Sequence, residues 1–462
     1  MQSKQLNKKE TAKITILFIL SVLSLFAGFD FNFWHAEDQR SFLRFQRDTE
    51  SLIIGRLVKS RQDGILSAGG LTGAGINHNL HETWITPKEI DRQYLSYWDD
   101  LTFETYSPYL SQIGGQGMLY SVLDRFTPLS SSRTKYEVFQ MVASLLSAVA
   151  LTLIILWFYF EFGLTSAVLI LVSAVLSQWL TVFGRNLWWS LWAFYLPMIA
   201  VMYFLKFNRS PAKRHFINFG ILVGISVFAK CLFNGYEYIT TSLVMMTVPF
   251  VYYSVLDRAD LRQFLKGIVS IIGGTFVAIA VRLIILLLQI GLAEGNPLGG
   301  IKHITSTLEK RTYGDAGDYS NEFSASLEAN PFGVVAAYLD GSYLDLPANA
   351  DASDSAGTGS TFEVRYSHLI ISYVVMSLFA VFIKRRDASR EQRQKDIALV
   401  TAAWFSILAP LSWFIIFKSH SYIHTHINFI VWQMPFTLFG FAIWGVVIGR
   451  AMATITGRMK SV

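Results

Sequence analysis

What most constrains this chain is a series of apolar runs, each about as long as a membrane is thick. A bilayer core of about 30 Å is crossed by roughly 20 apolar residues in helical form. Runs of that kind lie near 14–33, 138–158, 164–182, 187–205, 215–232, 239–255, 267–292, 367–384, 397–417 and 428–449. They predict an all-α polytopic membrane protein with about ten transmembrane helices. Composition agrees. Of 462 residues, 52% are hydrophobic and only 16% charged, against about 25% charged in soluble chains. An ordinary cytosolic enzyme, a disordered chain and a secreted disulfide scaffold are thereby excluded. The single Cys231 can close no internal disulfide and is read as packing.

Loop charge tests the count. Lys4, Lys8, Lys9 and Lys13 precede the first run, and Lys206, Arg209, Lys213 and Arg214 follow the fourth. Arg258, Arg262 and Lys266 follow the sixth; Lys384, Arg385, Arg386, Arg390, Arg393 and Lys395 follow the eighth; Arg450, Arg458 and Lys460 follow the tenth. An even number of spans separates these stretches, so all fall on one side. The positive-inside rule makes that side the cytoplasm, with both termini in it. The net charge of +6 then belongs to loops and not to a nucleic-acid surface. Phe31-Asn32-Phe33-Trp34 follows the first run where a small-residue cleavage site would stand, so that run is read as a retained anchor.

Two long segments, 34–137 and 293–366, are left on the extracytoplasmic side. Long loops in a compact protein are functional or disordered. In the first, Phe42, Phe45, Thr49, Ile53 and Leu57 recur at helical spacing, with Arg44, Arg47, Arg56 and Lys59 opposite. That pattern predicts an amphipathic helix lying in the headgroup layer, ended by Gly64. Gly69-Gly70, Gly73 and Gly75 lack the Lys of a phosphate loop and read as flexible turns. In the second segment, Pro331 to Leu346 reads as a short amphipathic element, and Ala350 to Ser360 as a mobile low-complexity stretch.

Candidates for chemistry cluster on the same side. Asp48 and Glu50 sit on the predicted interfacial helix, with Asp30, Glu37 and Asp38 nearer the first span. A carboxylate at the lipid–water boundary can act as general base toward a hydroxyl; it can also hold a divalent metal, or simply pair with Arg44, Arg47 or Arg56. Lys418, His420, His424 and His426 crowd the turn before the last span. Such donors suit a phosphate. The spacing of His420 and His424 also permits a metal, but the Glu of a zinc-protease motif is absent. Alternatively these are polar residues that end two helices. Arg282 lies inside an apolar run, where an ionisable group is a functional candidate. Arg185-Asn186 precedes Leu187-Trp188-Trp189, and Lys230 and Glu237 flank Gly235-Tyr236; each can equally snorkel or pair structurally.

With the first span, the long loop and the acid on a membrane-parallel helix in place, the chain resembles the GT-C superfamily of polytopic glycosyltransferases. The segment Asp48 to Leu57 ending at Gly64 is similar to that family's first loop. Tyr109 to Gly117 resembles the stretch before its second span, and Arg185-Asn186-Leu187-Trp188-Trp189 with Leu196-Pro197 is also similar. The likeness covers the first span to about residue 205 best, and the last two spans more loosely. It implies transfer of a sugar from a polyprenyl-phosphate carrier to a glycan, lipid or protein acceptor outside the cytoplasm, in a bacterial inner membrane. By the resemblance, Glu50 or Asp48 is the base, with Asp30, Glu37 and Asp38 as alternatives because the acid lies farther from the first span than usual. Lys418, His420, His424, His426, Arg282 and Arg185, with Asn186 and Glu237 beside them, are the expected surroundings of the leaving phosphate. Three other readings stay open: a transporter or flippase using Arg282 and Glu237, a polysaccharide polymerase or ligase, and a scaffold without turnover.

Overall fold

The computed structural model describes residues 8–75, 87–208, 213–346, 362–382 and 389–459; the low-complexity stretch from Ala350 to Ser360 lies outside them. The chain opens with α1 (Lys8–Phe31), then α2 (Gln39–Arg44), α3 (Arg47–Asp63), α4 (Pro87–Trp98) and α5 (Gly115–Phe126). Next come α6 (Ser132–Phe162), α7 (Leu164–Val175), α8 (Gln178–Gly184), α9 (Leu191–Phe207), α10 (Lys213–Asn234), α11 (Ile239–Leu256) and α12 (Leu261–Glu294). α13 (Pro297–Arg311), α14 (Asn321–Glu328) and α15 (Pro331–Asp340) form the second outer segment. α16 (Tyr366–Phe382), α17 (Arg390–Ser406) and α18 (Leu408–Ile416) then lead through the short α19 (Lys418–Ile423) and α20 (Thr425–Asn428) to α21 (Phe436–Met459). Strands are few: β1 (Gly73–Ala74) pairs antiparallel with β2 (Ser107–Pro108), and β3 (Ser342–Leu346) with β4 (Phe362–Arg365).

Among the described residues, seven helical stretches are long and apolar enough to cross a bilayer: α1, α6, α10, α11, α12, α17 with α18, and α21. α7 and α8 together make an apolar pair bent by 70°, and α9 and α16 are shorter apolar helices. Ile217, Ile221, Ile225, Val269, Phe276 and Leu288 stand exposed along α10 and α12. A belt of that kind is a liability in water and ordinary in lipid. The protein is an integral membrane protein built of α-helices. The run at 164–182, expected as one straight span, is broken. Ser177 Oγ accepts from Leu180 N (3.3 Å) and restarts the helix in a new direction. The last helix starts at Phe436, because residues 429–433 wind into a 3-10 turn ahead of Pro435.

Contacts gather the basic loops at one end of the bundle. Lys206, at the close of α9, pairs with Glu161 at the close of α6 (2.7 Å). Glu161 also accepts from the Tyr252 and Tyr253 hydroxyls on α11 (2.9 and 3.1 Å). Tyr159 donates to Glu10 near the start of α1 (3.2 Å), and Arg258 donates to Gln394 on α17 (3.1 Å). Within the bundle α10 and α12 approach closely because small residues face each other. A Cβ added at Gly274 would lie 2.2 Å from the Gly220 carbonyl oxygen, the close backbone contact that small-residue stripes permit in lipid.

The outer layer differs from the expected headgroup helix. The chain breaks at Gln46, in left-handed conformation (φ 51°), so α2 and α3 are separate. From Glu50 to Val58, α3 is buried on every side. α4, α5 and β1 cover it, and a Cβ at Gly55 would sit 2.2 Å from the Gly73 carbonyl. Arg56, expected on a polar face, is 0% exposed. Its guanidinium donates to the carbonyls of Gly64 (3.0 Å), Ile65 (3.0 Å) and Ser67 (2.6 Å) and to Ser67 Oγ (2.9 Å). The Gly64 carbonyl also accepts from Ser67 N and Oγ (3.1 and 2.7 Å), so the planar fork of Arg matters most to the carbonyls of Ile65 and Ser67. The glycines from 69 to 75 are mostly buried; Gly69 and Gly70 turn the chain in left-handed conformation, as the sequence suggests, and Gly73 enters β1. Arg56→Leu is expected to lower the thermal midpoint in detergent strongly, because each orphaned buried acceptor costs about 1–3 kcal/mol. Lys59→Ala, which loses only a partly exposed pair with Asp63, is expected to cost under about 1 kcal/mol. Equal shifts in thermal scans of the two variants would show that the wrapped guanidinium is not the anchor.

Candidate functional site

The acids after the first span differ in how far their oxygens are taken up by the fold. Asp30 is buried at the end of α1, accepts from Ser144 Oγ (3.1 Å), and its carbonyl accepts from Arg185 (3.2 Å). Asp38 caps α2 by accepting from Arg40 N and Ser41 N (2.9 and 3.0 Å). The Ser41 backbone N–H, with that of Arg40, holds its carboxyl below the usual range. Burial pushes Glu37 the other way. Glu50 is 3% exposed. Its Oε2 accepts from the Tyr94 and Tyr136 hydroxyls (2.9 and 2.8 Å), and its Oε1 from Leu187 N (3.0 Å). Gln140 donates to Tyr136 (2.7 Å), and Arg185 donates to Gln140. Asp30, Arg185, Gln140, Tyr136 and Glu50 thus form one polar chain through the packed layer. Asp48 precedes Glu50 by two residues and is half-buried at the surface of α3.

The turn before the last span shows the same division. Lys418 donates to the Leu327 and Ala329 carbonyls (2.5 and 2.9 Å), capping the C-terminal end of α14. Asn186 accepts from Trp188 N and Trp189 N (2.9 and 3.1 Å) and donates to the Phe45 carbonyl (3.2 Å). The three histidines instead make a row. Ring centroids of His420 and His424 are 4.5 Å apart, and those of His424 and His426 are 5.7 Å apart. Burial, reinforced by His424, Arg311 and His426, lowers the pKa of His420 well below its ordinary value. Burial with His426 and Arg311 takes His424 down to about 3. Burial also lowers His426, but there the Asp48 carboxylate is near enough to oppose it. The outer end of the row therefore lies within reach of the Asp48 charge.

The inner end meets a buried ion cluster. His420 Nε2 is 3.8 Å from Glu237 Oε2, and Glu237 Oε1 accepts from Arg311 Nη1 at 2.6 Å. Burial works against the charge of Arg311, yet Glu237 and the Tyr109 phenol hold its pKa above the ordinary value. Lys230 is fully buried and donates to the carbonyls of Gly235 and Glu237 (3.1 and 2.5 Å). Arg282, equally buried, donates Nε to the Cys231 carbonyl (3.1 Å) and stacks on the Tyr236 ring (3.9 Å). Its Nη1 and Nη2 have no hydrogen-bond partner among the described residues. A cavity of about 240 Å³ opens beside Glu237 and Arg311, with Gln112 and His303 on its wall. Arg311, Gln112 and His303 were not signalled by the sequence. Each stands in a polar stretch of an outer loop, and only the closing basic turn of α13 sets Arg311 apart. Among the described residues no three His, Cys, Asp or Glu side chains converge as metal ligands.

A neutral, half-buried His424 links stability to pH. Its folded pKa, about 3, lies below the ordinary 6.5. Between these values the unfolded chain binds a proton that the folded chain does not, so this contribution to stability falls with pH across that window. The thermal midpoint in detergent is expected to drop from pH 6.5 downward, and His424→Gln to flatten the drop; an unchanged profile in the variant would remove His424 as the cause. No family model, curated protein or solved structure matches this chain.

Proposed function

We propose that this protein is a membrane-embedded glycosyltransferase that moves a sugar from a polyprenyl-phosphate carrier to an acceptor on the outer face of a bacterial inner membrane. The observation that carries the reading is the histidine row itself, its ring centroids 4.5 and 5.7 Å apart, which runs from the Glu237–Arg311 pair beside the cavity to His426, where the Asp48 carboxylate acts through its charge. In the reading, the seven long spans, the bent pair and the two shorter apolar helices make ten crossings. The end of the bundle that collects the basic loops is then cytoplasmic, and Asp48 and the row lie outside. Single cysteines placed in a Cys231→Ala background test this: Ala259→Cys is expected to label from the cytoplasmic side and Gly317→Cys from the opposite one. Labelling of both from one side would sink the topology.

The chemistry follows from charge. An acceptor hydroxyl attacks the anomeric carbon, its proton passes to Asp48, and the bond to the carrier phosphate oxygen breaks with the electron pair left on phosphate. Preorganised cations facing that oxygen are usually the largest catalytic contribution; Arg311, with Arg282 behind it, fills that role. The histidines, neutral at physiological pH, supply N–H donors rather than charge. Asp48 is preferred to Glu50 because the Glu50 oxygens already accept from three donors. A carboxylate base contributes about 10²–10⁴-fold. With purified protein and a radiolabelled polyprenyl-phosphate sugar, Asp48→Asn is expected to lose turnover by about that factor, while Glu50→Gln lowers the yield of folded protein. A folded, inactive Glu50→Gln beside an active Asp48→Asn would move the base to Glu50.

A second reading, a flippase for a lipid-linked solute, is favoured by the 70° break between α7 and α8 and by Lys230 and Arg282 buried in apolar helices. Broken helices and intramembrane charges are common at transport sites. Movement of a lipid-linked sugar across liposomes without sugar transfer would support it over the enzyme.

A further inference from the structure

Around the turn from Gly235 to Tyr238, three cations gather with one carboxylate. Lys230 and Arg282 are 0% exposed and donate to backbone carbonyls, while Arg311, largely covered, pairs with Glu237. An uncompensated buried charge is costly, so a cluster with this excess of positive charge favours a further anion. Glu237 itself is incompletely used: Oε1 is held by Arg311, but Oε2 is buried without a hydrogen-bond partner among the described residues. Gln112, 4% exposed and on the cavity wall, has a buried Nε2 donor with no acceptor among them. Native structures rarely leave such groups unpaired unless something else satisfies them.

The cavity lining is of two kinds. Arg311, Glu237, Gln112 and Ser111 are polar, while Ile279, Leu283, Ile304 and Leu308 from α12 and α13 are apolar. The polar groups suit an oxyanion, and the apolar ones suit a hydrocarbon joined to it. Glu237 also has a second place to go, because His420 Nε2 lies 3.8 Å from its idle oxygen. We propose that this cavity binds a phosphate oxyanion on Arg311 and Gln112, and that Glu237 is a built-in surrogate for it, which the ligand displaces from Arg311 toward His420. An incoming phosphate gives Gln112 its acceptor and takes over the charge-assisted bonds of Arg311, while Arg282 and Lys230 keep the surroundings positive after Glu237 has moved. The proposal rests on the carrier-phosphate reading above for the identity of the ligand, and the assignment of Glu237 as an internal competitor goes beyond it.

The test is binding without turnover, on the purified full chain in detergent, with three probes: inorganic phosphate, farnesyl phosphate and farnesol. Wild type is expected to bind farnesyl phosphate and not farnesol. Glu237→Gln, nearly isosteric, removes the competitor and is expected to tighten binding by about tenfold, the scale of one charge-assisted hydrogen bond. The double variant Glu237→Gln with Arg311→Gln removes the ion pair together, leaves no unpaired buried charge, and is expected to lose binding. Unchanged or weaker binding in Glu237→Gln, or retained binding in the double variant, would overturn the proposal. Equal affinity for inorganic and farnesyl phosphate would keep the oxyanion site and assign it to free phosphate; tighter binding of farnesyl phosphate would assign it to a lipid. Phosphate binding with this pattern but no sugar transfer would end the glycosyltransferase reading and leave the site standing. Sugar transfer with binding indifferent to Glu237 would do the reverse.

Discussion

The outer layer of this protein is fastened to its helix bundle at the carboxylate of Glu50. A carboxylate taken out of water costs several kcal/mol unless its lone pairs are met. Here they are met from three directions: Tyr94 on α4, Tyr136 on α6 and the Leu187 backbone ahead of α9. Satisfying one charge therefore fixes three elements against α3. The consequences run both ways along that helix. Two residues earlier, Asp48 is held at the rim facing the histidine row. Six residues later, Arg56 gathers the loop that returns toward β1 and the cavity wall.

A second constraint is the treatment of positive charge within the bundle. Lys230 and Arg282 are kept by backbone carbonyls at helix ends and not by acids. Carbonyls left over at a helix terminus are natural partners for a cation, but they do not cancel its charge. Of the buried cations, Arg311 reaches the histidine row, and with burial it is part of the reason His420 and His424 stay neutral.

Much of the site was legible in the sequence as an address but not as a role. Hydropathy and loop charge put the acids after the first span on the same side as the histidine turn, and the Asp48 charge does act on His426. Roles were harder to read. Glu50 and Asp48 are the same kind of group two positions apart, yet one is locked inside and the other faces out. Lys418 sits among the histidines in sequence but spends its donors on the end of α14. Asn186 organises its own turn. Residue types that bind phosphate are also those that cap helices, and only the partner on the other side of the contact distinguishes the two uses.

The chain by itself determined the solvent of the protein. Its apolar runs can be stable only in lipid, and lipid admits little but helices whose backbone groups are satisfied internally, so the all-α bundle and the clustering of basic loops at one end follow from local composition. Only the tertiary structure decided which charges are free to act. The break between α7 and α8, the burial of α3 and the convergence of Arg311, Gln112 and Glu237 on one cavity all arise from contacts between segments far apart in sequence. A hydrophobic period records how a residue meets its solvent; it holds no record of which distant carbonyl, phenol or guanidinium will satisfy it.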